Sequence, residues 1–394
     1  MPFGYLTTVT IGGVLVLLGL VSTRRGVLPR MTYVPTMPVN EYPFIVVVWL
    51  GASTVLMIQE GYTATAGGMS GLVELIATLT ALAIVFARSL RTGPVVSTAL
   101  DRGLGADWHN ELTDATLARS GARWTPSLRS IVVPWLVGTR RVRVVRNIRY
   151  GPDPRFNVLD LYHNRAAPPD GRALVYFHGG GYHSGRKSRE ARALLYRLAS
   201  EGWVCVSANY RLRPGAGFRD HLTDAKRVLA WTRELSAEGG STSFVAGAAS
   251  SAGAHLVSIC ALSANDETLQ PGFPGADTTL DAVICLYGYY GDYYAPGSRD
   301  RLASSPLAWD AAPAPPVFVA HGDHDTFTPV ANARRFVSHL REGSRNPTVY
   351  AELPGAQHAF DVFRSVRFDA VVDGAVAFLD WAVQRQGGGD SFAR

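Results

Sequence analysis

An apolar run that ends in three consecutive glycines is the feature that most constrains the fold of this chain. Residues 173–177 are apolar, His178 follows them, and Gly179, Gly180 and Gly181 come next. Because glycine has no Cβ, such a backbone can approach a reacting carbonyl group closely and point N–H groups at the charge that develops on its oxygen. The pattern predicts a strand that opens onto half of an oxyanion hole, with Gly180 and Gly181 as hydrogen-bond donors.

A second turn of small residues predicts the nucleophile. A strand-like run over residues 242–247 leads into Ala249-Ser-Ser-Ala-Gly253, and an apolar helix starts at Ala252. This is the layout of a nucleophile elbow, whose usual pattern is Gly-x-Ser-x-Gly, with alanine in place of the first glycine. Ser251 is the predicted nucleophile, because Ser250 lies one residue before the sharp turn. The backbone N–H of Ala252 is predicted to complete the oxyanion hole at the positive end of the helix.

A carboxylate and an imidazole follow the serine at the ends of two later strand-like runs. A serine hydroxyl is a poor nucleophile near neutral pH unless an imidazole, itself oriented by a carboxylate, takes its proton. Asp325 follows the apolar run 317–320, and His358 follows the last strand-like run. These two residues are the predicted acid and base, and Asp323 is the alternative acid.

Other histidines near the predicted site have simpler explanations. The run His321–Asp325 has the residue types of a metal cluster, but its loop supplies no distant third ligand, so neither a metal nor an organic cofactor is expected. His255 lies one helical turn beyond the nucleophile and is predicted to pack in the core. His178 is predicted to brace the glycine turn through hydrogen bonds.

Tyrosines next to these motifs are candidate substrate contacts. Tyr182 closes the glycine turn, and Tyr287, Tyr289 and Tyr290 follow the strand-like run 282–286 at the expected edge of the site. Their amphipathic rings could line a pocket for the acyl or the alcohol group. Plain packing is the alternative for the tyrosine-rich loop.

From residue 141 onward, short apolar runs alternate with helix-like segments. Eight strand-like runs are predicted, at residues 143–150, 157–162, 173–177, 204–208, 242–247, 282–286, 317–320 and 348–353. The first two flank a turn and are predicted to pair antiparallel. The later alternation is typical of a mostly parallel sheet with helices on both faces. Residues 141–386 are therefore predicted to form one α/β domain, followed by a frayed tail over residues 387–394.

The first 90 residues differ in composition from the rest. Of the 394 residues, 47% are hydrophobic and 18% are charged, and the apolar excess is concentrated at residues 3–23, 42–59 and 66–87, which contain a single charged side chain, Glu74. A helix needs about 20 apolar residues to cross a bilayer, so three membrane spans are predicted. Glu74 is expected near an interface. The alternatives are a cleavable signal peptide for the first segment and helices of a soluble core for all three.

The charge distribution predicts an orientation in the membrane. Arginines follow the first and third spans, and a single acidic residue lies between the second and third. These residues are Arg24, Arg25, Arg30, Arg88, Arg91 and Glu60. Under the positive-inside rule, the N-terminus lies outside and the catalytic domain lies in the cytoplasm. The net charge of +6 is not gathered in a basic run interleaved with aromatic residues, so no nucleic-acid partner is expected.

Residues 91–140 lack sustained periodicity and are predicted to connect the membrane region to the catalytic domain. Within them, residues 124–137 are apolar and aromatic, with arginines on both sides. This stretch either lies in the membrane interface or packs on the catalytic domain.

The motifs in this order resemble the α/β-hydrolase superfamily. Residues 143–384 are similar to hormone-sensitive-lipase-like carboxylesterases with the His-Gly-Gly-Gly signature, and the N-terminal segments resemble those of membrane-anchored members from mycobacteria and other actinobacteria. The resemblance implies that Asp325 is the acid, because it lies four residues before the proline in His-Gly-x-x-Asp-x-x-x-Pro. Ala249 at the elbow and Thr328, where the family often has valine, depart from the pattern without removing a catalytic group.

The resemblance implies a membrane-anchored serine carboxylesterase or lipase that cleaves small-molecule or lipid esters through an acyl-enzyme. An amidase or arylformamidase-like hydrolase, or an acyltransferase acting on envelope lipids, would use the same triad. The non-enzymatic alternative is a catalytically inactive membrane scaffold, which the complete set of predicted catalytic residues disfavours. The physiological substrate, its acyl chain length and the oligomeric state stay open.

Overall fold

The structure is a computed structural model that describes residues 3–21, 28–112, 127–238, 244–293 and 302–389. The strands are β1 (Val142–Arg149), β2 (Val158–Asn164), β3 (Arg172–Phe177), β4 (Val204–Ala208), β5 (Phe244–Ser250), β6 (Ala282–Leu286), β7 (Val317–Gly322) and β8 (Thr348–Leu353). The helices are α1 (Phe3–Leu20), α2 (Leu28–Glu41), α3 (Pro43–Gln59), α4 (Ala66–Leu90), α5 (Thr92–Leu104), α6 (Leu128–Val132), α7 (Arg192–Ser200), α8 (Phe218–Glu238), α9 (Ala252–Leu262), α10 (Val330–Gly343) and α11 (Val366–Gly389). Short 3₁₀ helices lie at Trp108–Glu111, Glu267–Leu269 and Pro306–Ala308.

The eight strands form one mixed sheet in the order β1-β2-β4-β3-β5-β6-β7-β8. β2 pairs antiparallel with both β1 and β4, and the remaining neighbours pair parallel. Every residue of β5 and β6 is buried, as expected for parallel strands covered on both faces. The predicted α/β class and the eight-stranded, mostly parallel sheet are confirmed.

Helices cover both faces of the sheet. α7 and α11 share an apolar cluster with one face, and α8, α9 and α10 share a second cluster with the other face. The carboxyl ends of the parallel strands therefore meet at one edge between the two layers. In such a fold, binding and catalytic groups collect at this edge.

α5 belongs to the layer that contains α11, although residues 92–104 were predicted as part of a connector. Val96, Ala99 and Leu100 are buried in the same cluster as the inner face of α11. The two helices approach so closely that a Cβ on Gly374 would overlap the Val96 side chain. Glycine and β-branched residues give this segment little intrinsic preference for a helix, so packing against the domain determines its structure.

The structure describes only part of the apolar stretch in the predicted connector and only part of the predicted C-terminal tail. In the stretch 124–137, residues 124–126 lie outside the described residues, Leu128 and Trp135 are exposed, and Val137 is buried. Both alternatives for this stretch therefore stay open. At the C-terminus, α11 continues to Gly389, and residues 390–394 lie outside the described residues.

The N-terminal helices expose their large apolar side chains. α1, α3 and α4 pack through Tyr5, Val9, Leu50 and Met57, whereas many of their other large apolar residues point outward; Val48, for example, is 70% exposed. Glu74 of α4 accepts a hydrogen bond from the Thr10 hydroxyl of α1 at 2.9 Å. Contiguous exposed apolar surface of this kind marks a contact with a membrane or with another protein.

Length and composition identify one helix in the described part of the chain that could cross a bilayer. α4 and α5 together make a helix of 39 residues, Ala66–Leu104. The segment Tyr33–Glu41 of α2 passes the same test only together with α3, and the two meet at a bend of 92°. α1 is apolar but shorter, over Gly4–Leu20. The predicted three spans and the multi-pass topology are therefore not confirmed, and what the structure supports is one long apolar helix.

Candidate active site

Ser251 is the single residue between β5 and α9. Its φ of 53° and ψ of −117° lie in a region that side-chain-bearing residues rarely adopt. A Cβ on Gly253 would overlap the carbonyl oxygen of Phe177 at the end of β3, which is why the turn needs glycine at this close approach. The strained turn holds the Ser251 hydroxyl at the carboxyl edge of the sheet.

His358 and Asp325 continue a hydrogen-bonded chain from Ser251. His358 Nε2 lies 2.9 Å from Ser251 Oγ, and His358 Nδ1 lies 2.7 Å from Asp325 Oδ2. Asp325 follows β7 and His358 follows β8, so the ends of three parallel strands bring the side chains together. The geometry lets the imidazole accept the serine proton at Nε2 while Nδ1–H donates to the carboxylate.

The surroundings of Asp325 favour its ionised form. The backbone N–H groups of Phe327 and Thr328 both donate to Asp325 Oδ1 at 2.8 Å, and the Thr328 hydroxyl donates to Oδ2 at 2.8 Å. Burial alone would raise the pKa of Asp325, but His358, His321 and the Thr328 N–H outweigh it and hold the pKa below the usual aspartate value. Thr328, the residue that departs from the family pattern, is therefore a hydrogen-bond donor to this carboxylate.

Asp323, the alternative acid, lies in the same loop with a different partner. Its Oδ1 accepts a hydrogen bond from the backbone N–H of Gly355 at 2.7 Å. This contact ties the loop after β7 to the loop that leads to His358. His321 is also used structurally, since its Nε2 lies 2.7 Å from the Thr328 carbonyl oxygen. No group of three His, Cys, Asp or Glu side chains in the described ranges is placed to hold a metal ion.

The glycine turn lies directly beside the serine. Gly180 and Gly181 have φ values of 113° and 60°, which glycine adopts without strain. A Cβ on Gly179 would lie 2.9 Å from Ser251 Cβ. Gly180, Gly181 and Ala252 all line the cavity into which Ser251 opens. The structure thus brings the three predicted oxyanion-hole residues to one side of the serine.

Two buried histidines support the site without facing the serine. Burial lowers the pKa of His178, so its neutral ring can donate from Nδ1 to the Gly179 carbonyl oxygen at 2.7 Å. Its ring stacks on Tyr210 at a centroid distance of 4.5 Å. Burial also lowers the pKa of His255 to about 4. His255 belongs to α9 and is completely buried. Both positions agree with the roles predicted for these histidines.

A cavity of about 830 Å³ opens in front of Ser251. Its apolar wall contains Tyr33, Met37, Tyr287, Tyr289, Phe327 and Val362. Arg189 is the basic side chain and Glu190 the acidic side chain of its described lining, and Arg189 Nε donates to Glu190 Oε1 at 3.0 Å. Because these two charges pair with each other, the cavity suits an uncharged, largely apolar ligand.

Two of the four predicted tyrosine contacts lie at this cavity and two lie in the core. Tyr287 and Tyr289 line the cavity, whereas the Tyr182 hydroxyl lies 2.6 Å from His255 Nδ1. Tyr182 has a φ of 64°, is fully buried and is not among the residues that line the cavity. Tyr290 stacks on Phe336 of α10 at a centroid distance of 4.2 Å. We therefore assign only Tyr287 and Tyr289 to the pocket wall.

Two buried carboxyl groups behind the serine were not found by sequence reasoning. Glu190 Oε2 accepts from the Gly179 N–H at 2.6 Å, and Asp361 Oδ2 accepts from the Ser250 hydroxyl at 2.6 Å. The Tyr176 hydroxyl connects them, 2.8 Å from Ser250 Oγ and 3.4 Å from Glu190 Oε2. The network joins the glycine turn to the residue before the nucleophile. The available signal was weak: an aspartate three residues after the predicted base.

We expect Asp361 to make the folded protein less stable as the pH rises. Burial, and then the neighbouring Glu190, raise the pKa of Asp361 to about 7. Because the folded state holds this proton more tightly than the unfolded chain does, the stabilisation is complete below about pH 4 and is lost as the pH rises toward the folded pKa. Asp361→Asn cannot titrate, so the melting temperature of the wild type minus that of the variant should be larger at about pH 5 than at about pH 8. A difference that is constant with pH would contradict the expectation.

A serine on a strained turn between strand and helix, served by residues after two later strands, is the architecture of the α/β-hydrolases. Solved structures of this class share the fold. The apo form of Thermogutta terrifontis esterase 2 has a TM-score of 0.51 and 23% identity, with 60% of this chain and 92% of that chain covered. A truncated carbohydrate esterase from gut microbiota has a TM-score of 0.53 and 18% identity, with 62% and 99% covered.

Relatives in sequence carry the comparison further. Residues 159–294 match the BD-FAE family. A protein of Mycobacterium tuberculosis named probable carboxylic ester hydrolase LipM is 37% identical over 307 residues, which are 69% of this chain and 68% of LipM. Esterase LipQ of the same organism is 34% identical over 315 residues, which are 73% of this chain and 74% of LipQ. The chain belongs to this family of mycobacterial-type carboxylic ester hydrolases, and it is an enzyme that acts on ester bonds.

Proposed function

We propose that this ester hydrolase works through Ser251, His358 and Asp325 and a covalent acyl-enzyme. The observation that carries the proposal is the continuous chain of contacts, 2.9 Å from Ser251 Oγ to His358 Nε2 and 2.7 Å from His358 Nδ1 to Asp325 Oδ2. As Ser251 attacks the ester carbonyl, His358 takes its proton, and Asp325 keeps the ring in the required tautomer and compensates its charge.

The same geometry supports stabilisation of the oxyanion and protonation of the leaving group. The backbone N–H groups of Gly180, Gly181 and Ala252 would hold the negative oxygen of the tetrahedral intermediate. When the intermediate collapses, His358 returns its proton to the leaving alcohol and the acyl group stays on Ser251. Water, activated in turn by His358, then attacks the acyl-enzyme and releases the acid. These steps need no metal or organic cofactor.

Ester hydrolysis is expected to exceed the two related reactions. Purified protein should hydrolyse p-nitrophenyl butyrate faster than the matching p-nitroanilide, and an added alcohol should capture only a minor part of the acyl group. Release of p-nitrophenol together with butyric acid measures the first reaction, and the butyrate ester of the added alcohol measures transfer. A faster anilide reaction would favour an amidase, and transfer in excess of hydrolysis would favour an acyltransferase. Absence of all three would favour the inactive scaffold.

We also propose that α1, α3 and α4 hold the catalytic domain at the inner face of a membrane. The outward apolar side chains of these helices support contact with lipid. The continuous helix Ala66–Leu104 passes from this region into the layer beside α11, so the domain, over about residues 141–386, would be held rigidly. The arginines after the first and third predicted spans support the cytoplasmic side.

The membrane proposal predicts that the chain is retained in washed membranes and on which side of the membrane each segment lies. The full chain should stay in the pellet when membranes are washed with alkaline carbonate. A reporter fused after Arg91 should give a cytoplasmic signal, and one fused after Glu60 should give an external signal. Release by carbonate would contradict integral insertion, and an external signal after Arg91 would contradict the orientation.

A further inference from the structure

One wall of the active-site cavity comes from outside the catalytic domain. Tyr33 and Met37 of α2 line the cavity, and their spacing of four residues puts them on the same side of the helix. The Tyr33 ring meets Phe327 edge-on at a centroid distance of 4.8 Å and lies 6.4 Å from the His358 ring. The cavity that faces the serine is therefore incomplete without α2.

Buried polar contacts fix α2 to the loop that carries the histidine. Glu41, at the end of α2, accepts from Arg367 Nε at 3.2 Å and from the Ser365 hydroxyl at 2.6 Å. The same guanidinium donates to the Pro354 carbonyl oxygen at 2.6 Å and to the Ser89 hydroxyl at 3.1 Å. Arg367 and Glu41 are both almost completely buried. The ends of α2 and α4 and the loop before His358 thus share one anchor.

The opposite side of α2 is apolar and open. Val34, next to Tyr33 but on the outer side, is 69% exposed. α2 meets α3 at a bend of 92°, and α3 is one of the helices whose apolar side chains point outward. If α3 enters the bilayer, α2 lies along its surface, with Val34 toward lipid and Met37 toward the cavity.

We propose that α2 completes the active site from the membrane side: Tyr33 and Met37 form the wall that binds the apolar chain of the ester, and the ester reaches Ser251 from the bilayer along this helix. The inference rests on the proposed triad and membrane attachment and adds the residues and the route that select the substrate. The paired charges of Arg189 and Glu190 suit an uncharged ester. Phe327, which is 41% exposed, continues the apolar wall beyond Tyr33.

Chain-length profiles test the wall. In detergent, the full chain is assayed on p-nitrophenyl acetate and p-nitrophenyl palmitate. Met37→Trp narrows the cavity and should lower kcat/KM for the palmitate roughly tenfold or more relative to the acetate. Tyr33→Ala, which removes wall surface, should also lower the ratio of kcat/KM for the palmitate to that for the acetate. Val34→Ala, on the outer side of the same helix, should leave the profile unchanged.

The acetate reaction separates the two levels of the proposal. If the wild type does not hydrolyse the acetate, the proposed function fails. If it does, and both Met37→Trp and Tyr33→Ala keep the wild-type ratio of palmitate to acetate, the role of α2 is contradicted. If Met37→Trp loses both reactions, the ratio of palmitate to acetate in Tyr33→Ala decides: a lowered ratio supports the role of α2, and the wild-type ratio contradicts it.

Substrate presented in a bilayer tests the route. The protein is reconstituted in phosphatidylcholine vesicles that contain dioleoylglycerol. Val34→Asp puts a charge on the proposed lipid-facing side and should slow hydrolysis of this ester roughly fivefold or more, whereas Val34→Ala should not. Both variants should keep wild-type activity on dissolved p-nitrophenyl acetate. Equal rates of Val34→Asp and Val34→Ala on the vesicle-embedded ester would overturn the route.

Discussion

Ser251→Ala should lower kcat/KM for p-nitrophenyl butyrate by about 10⁴-fold or more. The substitution removes the oxygen that lies 2.9 Å from His358 Nε2, so no acyl-enzyme can form. The small side chain leaves the strained turn and the neighbouring oxyanion residues in place. What remains should be the weak acceleration that an oxyanion hole gives to attack by water. Steady-state kinetics over a range of substrate concentrations measure the change.

Ser250→Ala is the matched control, because it removes a hydroxyl one residue earlier. Ser250 Oγ is completely buried, donates to Asp361 and accepts from Tyr176. We expect this variant to be less stable but to keep most of its activity. The opposite pattern, with Ser250→Ala inactive and Ser251→Ala active, would move the nucleophile by one residue.

Asp325→Asn should have the second largest effect, a loss of about 10⁴-fold in kcat at neutral pH. The carboxylate oxygen 2.7 Å from His358 Nδ1 accepts the ring N–H and so leaves Nε2 free to take the serine proton. An amide NH₂ group at this position would favour the other tautomer, in which Nε2 carries a proton. The backbone donors of Phe327 and Thr328 would still hold the amide oxygen, so the fold should survive.

Asp323→Asn controls for the loss of a carboxylate in the same loop. Asp323 accepts from the Gly355 N–H, and an asparagine oxygen can accept the same bond. Activity should therefore stay close to that of the wild type, as measured with the same ester. A larger loss for Asp323→Asn than for Asp325→Asn would exchange the roles of the two residues.

The residues that the structure places next to the Ser251 hydroxyl were predictable from sequence, because each of them sits in a short local pattern. The glycine turn, the small residues around Ser251 and the loops that carry Asp325 and His358 all follow apolar runs. In a parallel sheet, strand ends share one edge, so their order along the chain implies that they meet. The strand positions were predicted for the same reason, since the buried strands contrast strongly with the segments between them.

Features that depend on packing between distant segments were not predictable. α5 is a helix because Val96, Ala99 and Leu100 pack against α11, and its own composition favours no structure. The contacts of Tyr33 and Met37 with the active site depend on the bend between α2 and α3. Tyr182 is buried in the core against His255, a contact between residues 73 positions apart that the residue type does not reveal.

The buried pair of Glu190 and Asp361 illustrates a further limit. The two carboxyl groups come from positions 171 residues apart in the chain, and neither belongs to a motif. They meet because Glu190 reaches the Gly179 N–H while Asp361 reaches the Ser250 hydroxyl. Only the three-dimensional arrangement shows that one hydrogen-bond network holds both the glycine turn and the residue before the nucleophile.

Fluorophosphonate labelling followed by fragmentation mass spectrometry tests the central claim most directly. The reagent reacts with a serine whose hydroxyl is activated by an imidazole and whose oxyanion is stabilised. We predict one adduct, on Ser251, that is lost in Ser251→Ala and strongly reduced in His358→Ala. Fragment ions must separate Ser251 from the adjacent Ser250. An adduct on Ser250 or on another residue, or labelling that persists in Ser251→Ala, would contradict the account.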